Sequence, residues 1–168
     1  MIETLRTLAG AFAVSGCEQD MARCVLELAA SYGTCGRDAM GNVILHRPGT
    51  GEKVMLAAHL DTAGLIATET EGEKVRVALV GAVEANQWLG QQVQFASGTL
   101  GVVCADTGSK EITADSLFVD ALGQTVLPGD AARPWAESCE APPGRPRYGM
   151  TGPPVSAAPG NAAGTGAR

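Results

Sequence analysis

The residues of this chain best suited to chemistry are one histidine and one aspartate at the end of an apolar run. His59 directly follows the run 54–58, and Asp61 lies two positions further on. Because residues i and i+2 of a strand face the same side, the carboxylate can approach the imidazole and fix its tautomer and orientation. Two interpretations stay open: a metal-binding histidine with its orienting aspartate, or a buried histidine that a carboxylate satisfies. The pair alone does not make a metal site, because catalytic zinc centres have three protein ligands.

Other reactive side chains indicate no competing chemistry. His46 precedes Arg47 and Pro48 at the end of a predicted strand, which favours an exposed surface residue. No HExxH, GxSxG, P-loop or GxGxxG pattern occurs in the sequence. The five cysteines are odd in number and form no CxxC pair, so we expect reduced thiols and a cytoplasmic protein. They stand at positions 17, 24, 35, 104 and 139.

Two helices are predicted to precede the candidate site. Apolar residues recur at helical spacing from Ile2, which predicts an amphipathic helix that ends near Ala13. Ser15 and Glu18 fit a capping box, in which their side chains satisfy free backbone N–H groups. A second helix is therefore expected over about 17–32.

Strands are predicted on both sides of the candidate site. Residues 43–46 and 53–59 suggest a hairpin, and the continuously apolar run 54–58 suits a central strand covered on both faces. Beyond Gly64, short strand candidates alternate with turn residues about every ten positions, which predicts a small β-barrel or sandwich. These candidates are residues 64–70, 74–80, 91–95, 99–105 and 116–120.

Composition changes sharply near the C-terminal end of the 168 residues. Eight of the nine prolines lie at or after Pro128, and residues 128–168 contain Val155 as their single Leu, Ile, Val or Phe. Such a segment buries too little apolar surface to offset chain entropy, which predicts a disordered tail. The predicted fold class is α/β with an inserted small β-barrel and this tail. The expected domains are 1–63, the N-terminal part of an α/β domain; 64–130, the barrel; and 131–168, the tail.

The charge distribution excludes one class of partner. Residues 1–127 carry eight basic and fifteen acidic side chains, and the whole chain has a net charge of −6. Because nucleic-acid binding needs a basic patch or stripe, we expect no nucleic-acid partner. No apolar run approaches the roughly 18 residues of a membrane-spanning helix, so we expect no membrane partner.

Taken in order, these pieces resemble the N-terminal third of a family of dinuclear metallo-aminopeptidases that assemble as tetrahedral dodecamers. Members are called glutamyl or deblocking aminopeptidases, and some carry a cellulase or endoglucanase label. The most specific stretch is AHLDTAGL within its predicted strand. The remaining matches run in family order from about residue 1 to Asp130. They are AFAVSGCEQDM, DAMGNVI, VGAVEANQWLGQQVQF, GTLGVV, LFVD and VLPGD.

The resemblance implies roles for only two residues. His59 would bind one of two divalent metal ions, zinc or cobalt, and Asp61 would be the catalytic carboxylate that orients it. Peptides would be the substrates, and the barrel would help to build a homo-oligomer. Thr62 stands where many relatives have Glu, and the family's other metal ligands and general base have no counterpart after Asp130. We therefore expect a metal-dependent aminopeptidase family member that is truncated, with a reading frame lost near residue 131, and inactive as this chain. A non-catalytic barrel fragment for assembly or binding is the alternative.

Overall fold

A computed structural model describes residues 1–106 and 111–135, which form an N-terminal helical layer followed by a β-barrel. Expectations for residues 136–168, including Cys139 and most of the predicted tail, lie outside the described residues. Among those described, no helix is long and apolar enough to cross a membrane. The elements are α1 (Ile2–Gly10), α2 (Gln19–Ala29), β1 (Thr34–Arg37), β2 (Val43–His46), β3 (Gly64–Glu71), β4 (Lys74–Val80), β5 (Gln92–Phe95), β6 (Leu100–Ala105), β7 (Leu117–Asp120) and β8 (Ala131–Pro134), with short 3-10 turns at Ala85–Gln87 and Ala114–Ser116.

The second half of the chain is a closed antiparallel barrel with the strand order β3-β4-β7-β6-β5-β8. Its strands alternate buried and more exposed residues, as a half-buried strand does, and the inward side chains form one apolar cluster. Phe95 and Leu65 are the largest fully buried side chains in that cluster, which also contains Trp88. The α/β class with a small barrel is confirmed, and the five strands expected between residues 64 and 120 all form.

The sixth strand corrects the predicted start of the tail. Residues 131–134 were expected to be disordered, but they form β8, which pairs with β3 and β5 and closes the barrel. Ala131 and Ala132 are buried there, so this strand contributes small side chains to the core instead of large ones. Residues 131–134 therefore continue the fold, and the change of reading frame expected near residue 131 stays a prediction.

Arg133 of β8 joins the barrel to the helical layer. Its guanidinium is buried and donates hydrogen bonds to the backbone carbonyls of Gly10 (2.9 Å) and Ala11 (3.1 Å) at the end of α1. It also lies over the ring of Phe12, 5.9 Å from the centroid. A cation beside the last carbonyls of a helix is favourable, because those carbonyls lack intrahelical partners and carry partial negative charge.

The helices are shorter than predicted, and the hairpin has a different partner. Helix α1 ends at Gly10, where the Arg133 guanidinium donates hydrogen bonds to the Gly10 and Ala11 carbonyls, and α2 spans Gln19–Ala29. Strand β2 pairs with β1, through a turn in which the Asp38 carboxylate accepts hydrogen bonds from Met40 and Asn42. The predicted pairing of 43–46 with 53–59 is therefore wrong.

The predicted central strand over 53–59 does not form. This segment has no strand assignment, and its apolar side chains are exposed: Val54 by 82%, Met55 by 88% and Leu56 by 93%. A strand is defined by hydrogen bonds to a neighbour, and no described strand lies beside this segment. The apolar run therefore has the composition of a strand that is buried on both faces, but among the described residues no strand or helix buries it.

Candidate metal-binding site

The candidate pair meets as its spacing predicts, although no strand carries it. His59 Nδ1 lies 3.1 Å from Asp61 Oδ1 and 2.8 Å from the Asp61 backbone oxygen. Both oxygens accept hydrogen bonds, so Nδ1 carries the proton and the lone pair of the neutral ring is on Nε2. Among the described residues Nε2 has no hydrogen-bond partner, and the His59 side chain is 84% exposed. His59 is therefore exposed, in contrast to the buried histidine of the second interpretation, whereas the carboxylate contact that this interpretation expects is present.

A third residue joins this pair. The Ser15 hydroxyl donates a hydrogen bond of 2.5 Å to Asp61 Oδ2, the carboxylate oxygen that does not face His59. This bond is the main reason why the pKa of Asp61 lies below its ordinary value of 3.8, and the contact with His59 lowers that pKa further. Asp61 is thus the middle member of a hydrogen-bonded series of three side chains, Ser15, Asp61 and His59.

The predicted capping box at Ser15 is wrong for that reason. Helix α2 has Glu18 as its N-cap, without a side-chain cap, and the Glu18 carboxylate accepts a hydrogen bond from the Gly16 backbone. Ser15 instead bonds to a residue 46 positions away. Sequence patterns show local caps, whereas a partner this distant becomes visible only once the chain folds.

The backbone holds Ser15 and Asp61 in register. Val14 and Thr62 form a parallel bridge, in which the Thr62 N–H donates to the Ala13 carbonyl at 2.7 Å and the Ser15 N–H donates to the Thr62 carbonyl at 3.3 Å. Val14 is buried and packs against Gly64, where a side-chain Cβ would lie 2.6 Å from a Val14 methyl carbon. The loop between the helices is therefore fixed against the start of the barrel beside the candidate site.

The described residues fit one ligand of a metal site but do not complete one. His59 offers Nε2 with its tautomer set by Asp61, which is the arrangement of metal-binding histidines. In the described part of the chain, no group of three or more His, Cys, Asp or Glu side chains could hold a metal ion. His46 is exposed at the end of β2, as predicted, and is not part of the site.

The four cysteines that the structure describes do not form a competing metal site. Cys17, Cys24, Cys35 and Cys104 are free thiols, as expected. Partial burial raises the pKa of the Cys104 thiol, which keeps it in the poorly nucleophilic protonated form.

Comparisons with known proteins agree with the resemblance in the sequence. Residues 41–120, which contain both His59 and Asp61, match the family model described as M42 glutamyl aminopeptidase. A putative aminopeptidase of Acetivibrio thermocellus is 31% identical over 125 residues, which are 71% of this chain and 38% of that protein. The chain thus spans less than half the length of this curated relative.

Solved structures share the fold. The TET aminopeptidase of the marine sediment archaeon Thaumarchaeota archaeon SCGC AB-539-E09 superposes with a TM-score of 0.72 at 22% identity, over 80% of this chain and 44% of that one. The peptidase PhTET1-12s, described as a dodecamer, gives a TM-score of 0.67 at 25% identity, over 79% of this chain and 44% of that one. The helical layer and the barrel together are therefore an arrangement found in TET peptidases.

Proposed function

We propose that this chain, whose residues 41–120 match the M42 glutamyl aminopeptidase family model, carries part of a metal-dependent aminopeptidase, which hydrolyses N-terminal residues from peptides. The observation that carries the proposal is the His59–Asp61 contact inside the matched range. An oriented, exposed imidazole with a free Nε2 is what such a site requires of this segment.

In this proposal His59 would hold a divalent metal ion, zinc or cobalt, through Nε2. When bound, such an ion polarises a peptide carbonyl and lowers the pKa of a coordinated water molecule. Asp61 holds the Nδ1 proton of His59 and keeps the ring in one orientation. The pair of metal ions and the peptide substrates follow from the family resemblance, and they remain part of the proposal.

We also propose that the 168 residues alone have little or no peptidase activity. A catalytic zinc site uses three protein ligands, and the described residues offer His59 alone at this place. The uncovered apolar segment 53–60 supports the same proposal, because the neighbours expected of a central strand do not occur within residues 1–106 and 111–135. A longer gene product, or a second polypeptide, would have to supply both.

The alternative function, a non-catalytic barrel for assembly, rests on a separate observation. The barrel is closed and its core cluster lies within residues 65–132, so it is complete without the site. PhTET1-12s is a dodecamer, which supports self-association of this chain through the barrel. We expect gel filtration with light scattering to give more than one copy per particle, and a clean monomer would contradict this part.

A cytoplasmic location also remains a proposal, supported by the free thiols.

Metal binding tests the peptidase assignment. The chain contains two histidines, His59 and His46, so the ring signals of both can be followed by NMR while zinc is added to the full chain. We expect the His59 signals to shift and those of His46 to stay in place, with His59→Ala removing the response. An equal response of both rings, or no response of His59, would contradict the assignment.

Hydrolysis tests the proposed inactivity. We expect the purified chain to release no measurable nitroaniline from aminoacyl-nitroanilides in the presence of cobalt or zinc. Turnover that is lost in His59→Ala and kept in His46→Ala would overturn the inactivity and would confirm the site at the same time.

A further inference from the structure

Ser15 has no role in the function proposed above, yet it contacts the residue at the centre of the site. We propose that Ser15 is a positioning residue, which fixes the orientation of the Asp61 carboxylate and through it the tautomer and direction of the His59 ring. The inference deepens the proposed function and rests on it for its biological purpose. Its physical content, a control of the His59 ring by Ser15, can be tested without a metal.

The two oxygens of the Asp61 carboxylate have different partners. Ser15 takes Oδ2 at 2.5 Å, which leaves Oδ1 to face His59 Nδ1 at 3.1 Å, where it acts together with the Asp61 backbone oxygen at 2.8 Å. The Asp61 side chain is 41% exposed, so it lacks the tight packing that would otherwise hold its terminal torsion. The hydroxyl of Ser15 is the contact that selects one rotation of the carboxylate.

The backbone of Ser15 is itself held in place. Val14 and Thr62 form an isolated parallel bridge, and the Ser15 N–H donates a hydrogen bond to the Thr62 carbonyl. Ser15 directly follows Val14, and Asp61 directly precedes Thr62, so each lies one residue from the bridge. Val14 is buried, so the bridge is anchored in the interior. The hydroxyl is therefore presented to Asp61 by rigid backbone, whereas a surface serine on a free loop would sample many partners.

Ser15 does not cap the helix that follows it. Glu18, not Ser15, is the N-cap of α2, and the helix has no side-chain cap. The Ser15 hydroxyl is thus directed away from the helix that follows it and toward the site. Replacing it should disturb Asp61 and His59 more than it disturbs α2.

The experiment reads the His59 tautomer directly. In the full chain labelled with ¹⁵N at histidine and held at pH 8 without metal, long-range ¹H–¹⁵N spectra distinguish Nδ1–H from Nε2–H for His59 and His46. We expect His59 in the wild type to be mainly Nδ1–H. In Ser15→Ala we expect a shift toward Nε2–H, the form that a free imidazole prefers in water, with His46 unchanged as the internal control.

Two conservative variants separate positioning from a purely structural role. Ser15→Thr keeps the hydroxyl and should restore the wild-type tautomer, whereas Ser15→Cys keeps the size but offers a weak donor and should give an intermediate shift. These variants decide the question even where Ser15→Ala does not fold. An unchanged His59 tautomer in folded Ser15→Ala or Ser15→Cys, or a failure of Ser15→Thr to restore it, would overturn the proposal.

A zinc titration connects the tautomer to the proposed function. Groups that orient a metal-binding histidine typically change metal affinity by 10- to 100-fold, so we expect Ser15→Ala to weaken zinc binding at His59 by about tenfold. If wild-type His59 does not bind zinc while the tautomer still depends on Ser15, the proposed function fails and the positioning role stands. If zinc binds equally well to the wild type and Ser15→Ala, the positioning role fails while the metal assignment stands.

Discussion

The barrel and the N-terminal layer solve the problem of burying apolar residues in different ways. The barrel closes on itself, so every strand has two neighbours and its core is formed by its own residues. In residues 1–63 the buried apolar side chains are Ala13, Val14, Met21 and Ala22, while Val54, Met55 and Leu56 are exposed. The comparison teaches that closure of a sheet makes a segment self-sufficient, whereas an open layer depends on contacts from elsewhere.

The candidate site lies where these two regions meet. His59 lies near the end of the uncovered segment 53–60, Asp61 directly follows that segment, and Thr62 and Gly64 begin the contact with the barrel. Ser15 reaches the site from the helical layer. The candidate site is therefore held in place on the side of the barrel and exposed to solvent on the opposite side. Further metal ligands would have to approach from that exposed side.

The largest effect is expected from a change in the barrel core. Phe95→Ala removes a fully buried ring, and we expect the free energy of unfolding to fall by about 3–5 kcal/mol, since large-to-small core substitutions lose both burial and packing. Urea denaturation followed by circular dichroism measures this loss. The matched change in the open layer, Leu5→Ala, truncates a side chain that is 60% exposed and should cost less than about 0.5 kcal/mol. Equal losses for the two variants would contradict the comparison.

A medium effect is expected where the two regions touch. In Gly64→Ala the new Cβ would lie 2.7 Å from the Ala132 carbonyl oxygen and 2.6 Å from a Val14 methyl carbon, so the backbone must move. We expect a loss of about 1–3 kcal/mol in the same denaturation assay, because overpacking of this size typically costs that much. Gly36→Ala, whose Cβ would meet open space, is the control and should leave stability nearly unchanged. A Gly64→Ala chain as stable as that control would contradict the close contact.

Removing the link between α1 and the barrel should have a similar effect. Arg133→Met keeps the length and apolar stem of the side chain but loses the hydrogen bonds to the carbonyls of Gly10 and Ala11. We expect a loss of about 1.5–3 kcal/mol, the range for hydrogen bonds that involve a charged group. Hydrogen exchange should show faster exchange in α1 with the barrel intact. Arg6→Met, at an exposed ion pair with Glu3, should change neither measurement.

The smallest effect concerns a surface ion pair on the barrel. Arg76 donates to Asp106 at 2.6 Å and holds the pKa of that carboxyl below its ordinary value of 3.8. A carboxyl with a lowered folded-state pKa stabilises the fold above its ordinary pKa, and this stabilisation is lost as the pH falls through the lowered value. Asp106→Asn should therefore lower the melting temperature slightly at pH 7, and the difference from the wild type should shrink below pH 3.8. A difference that does not change with pH would argue against the ion pair.

The sequence pattern was most informative where structure is local. Alternating apolar residues and turn residues predicted the strands from Gly64 to Asp120, because each of these strands has at least one partner strand in the same segment. Strand β8 was missed because Ala131 and Ala132 are small, and a search for large apolar side chains passes over them. A strand that closes a barrel needs its backbone hydrogen bonds more than bulky residues.

The candidate site was predictable in part for the same reason. The approach of His59 and Asp61 follows from two positions of spacing, and the structure brings them together. Ser15 could not be found, because its partner lies 46 residues away and its own neighbourhood imitates a helix cap. The prediction for 53–59 failed because an apolar run shows what could be buried, but not whether a neighbouring strand is present.

Hydrogen exchange on the full chain, followed by mass spectrometry, tests the difference between the two regions most directly. Amides in hydrogen-bonded strands exchange slowly, and those in extended segments without partners exchange at nearly the rate of unstructured chain. We predict strong protection in the barrel strands and fast exchange in residues 53–60. Protection of 53–60 equal to that of the barrel would contradict the account, because it would mean that this segment already has the covering strands that the open layer is argued to lack.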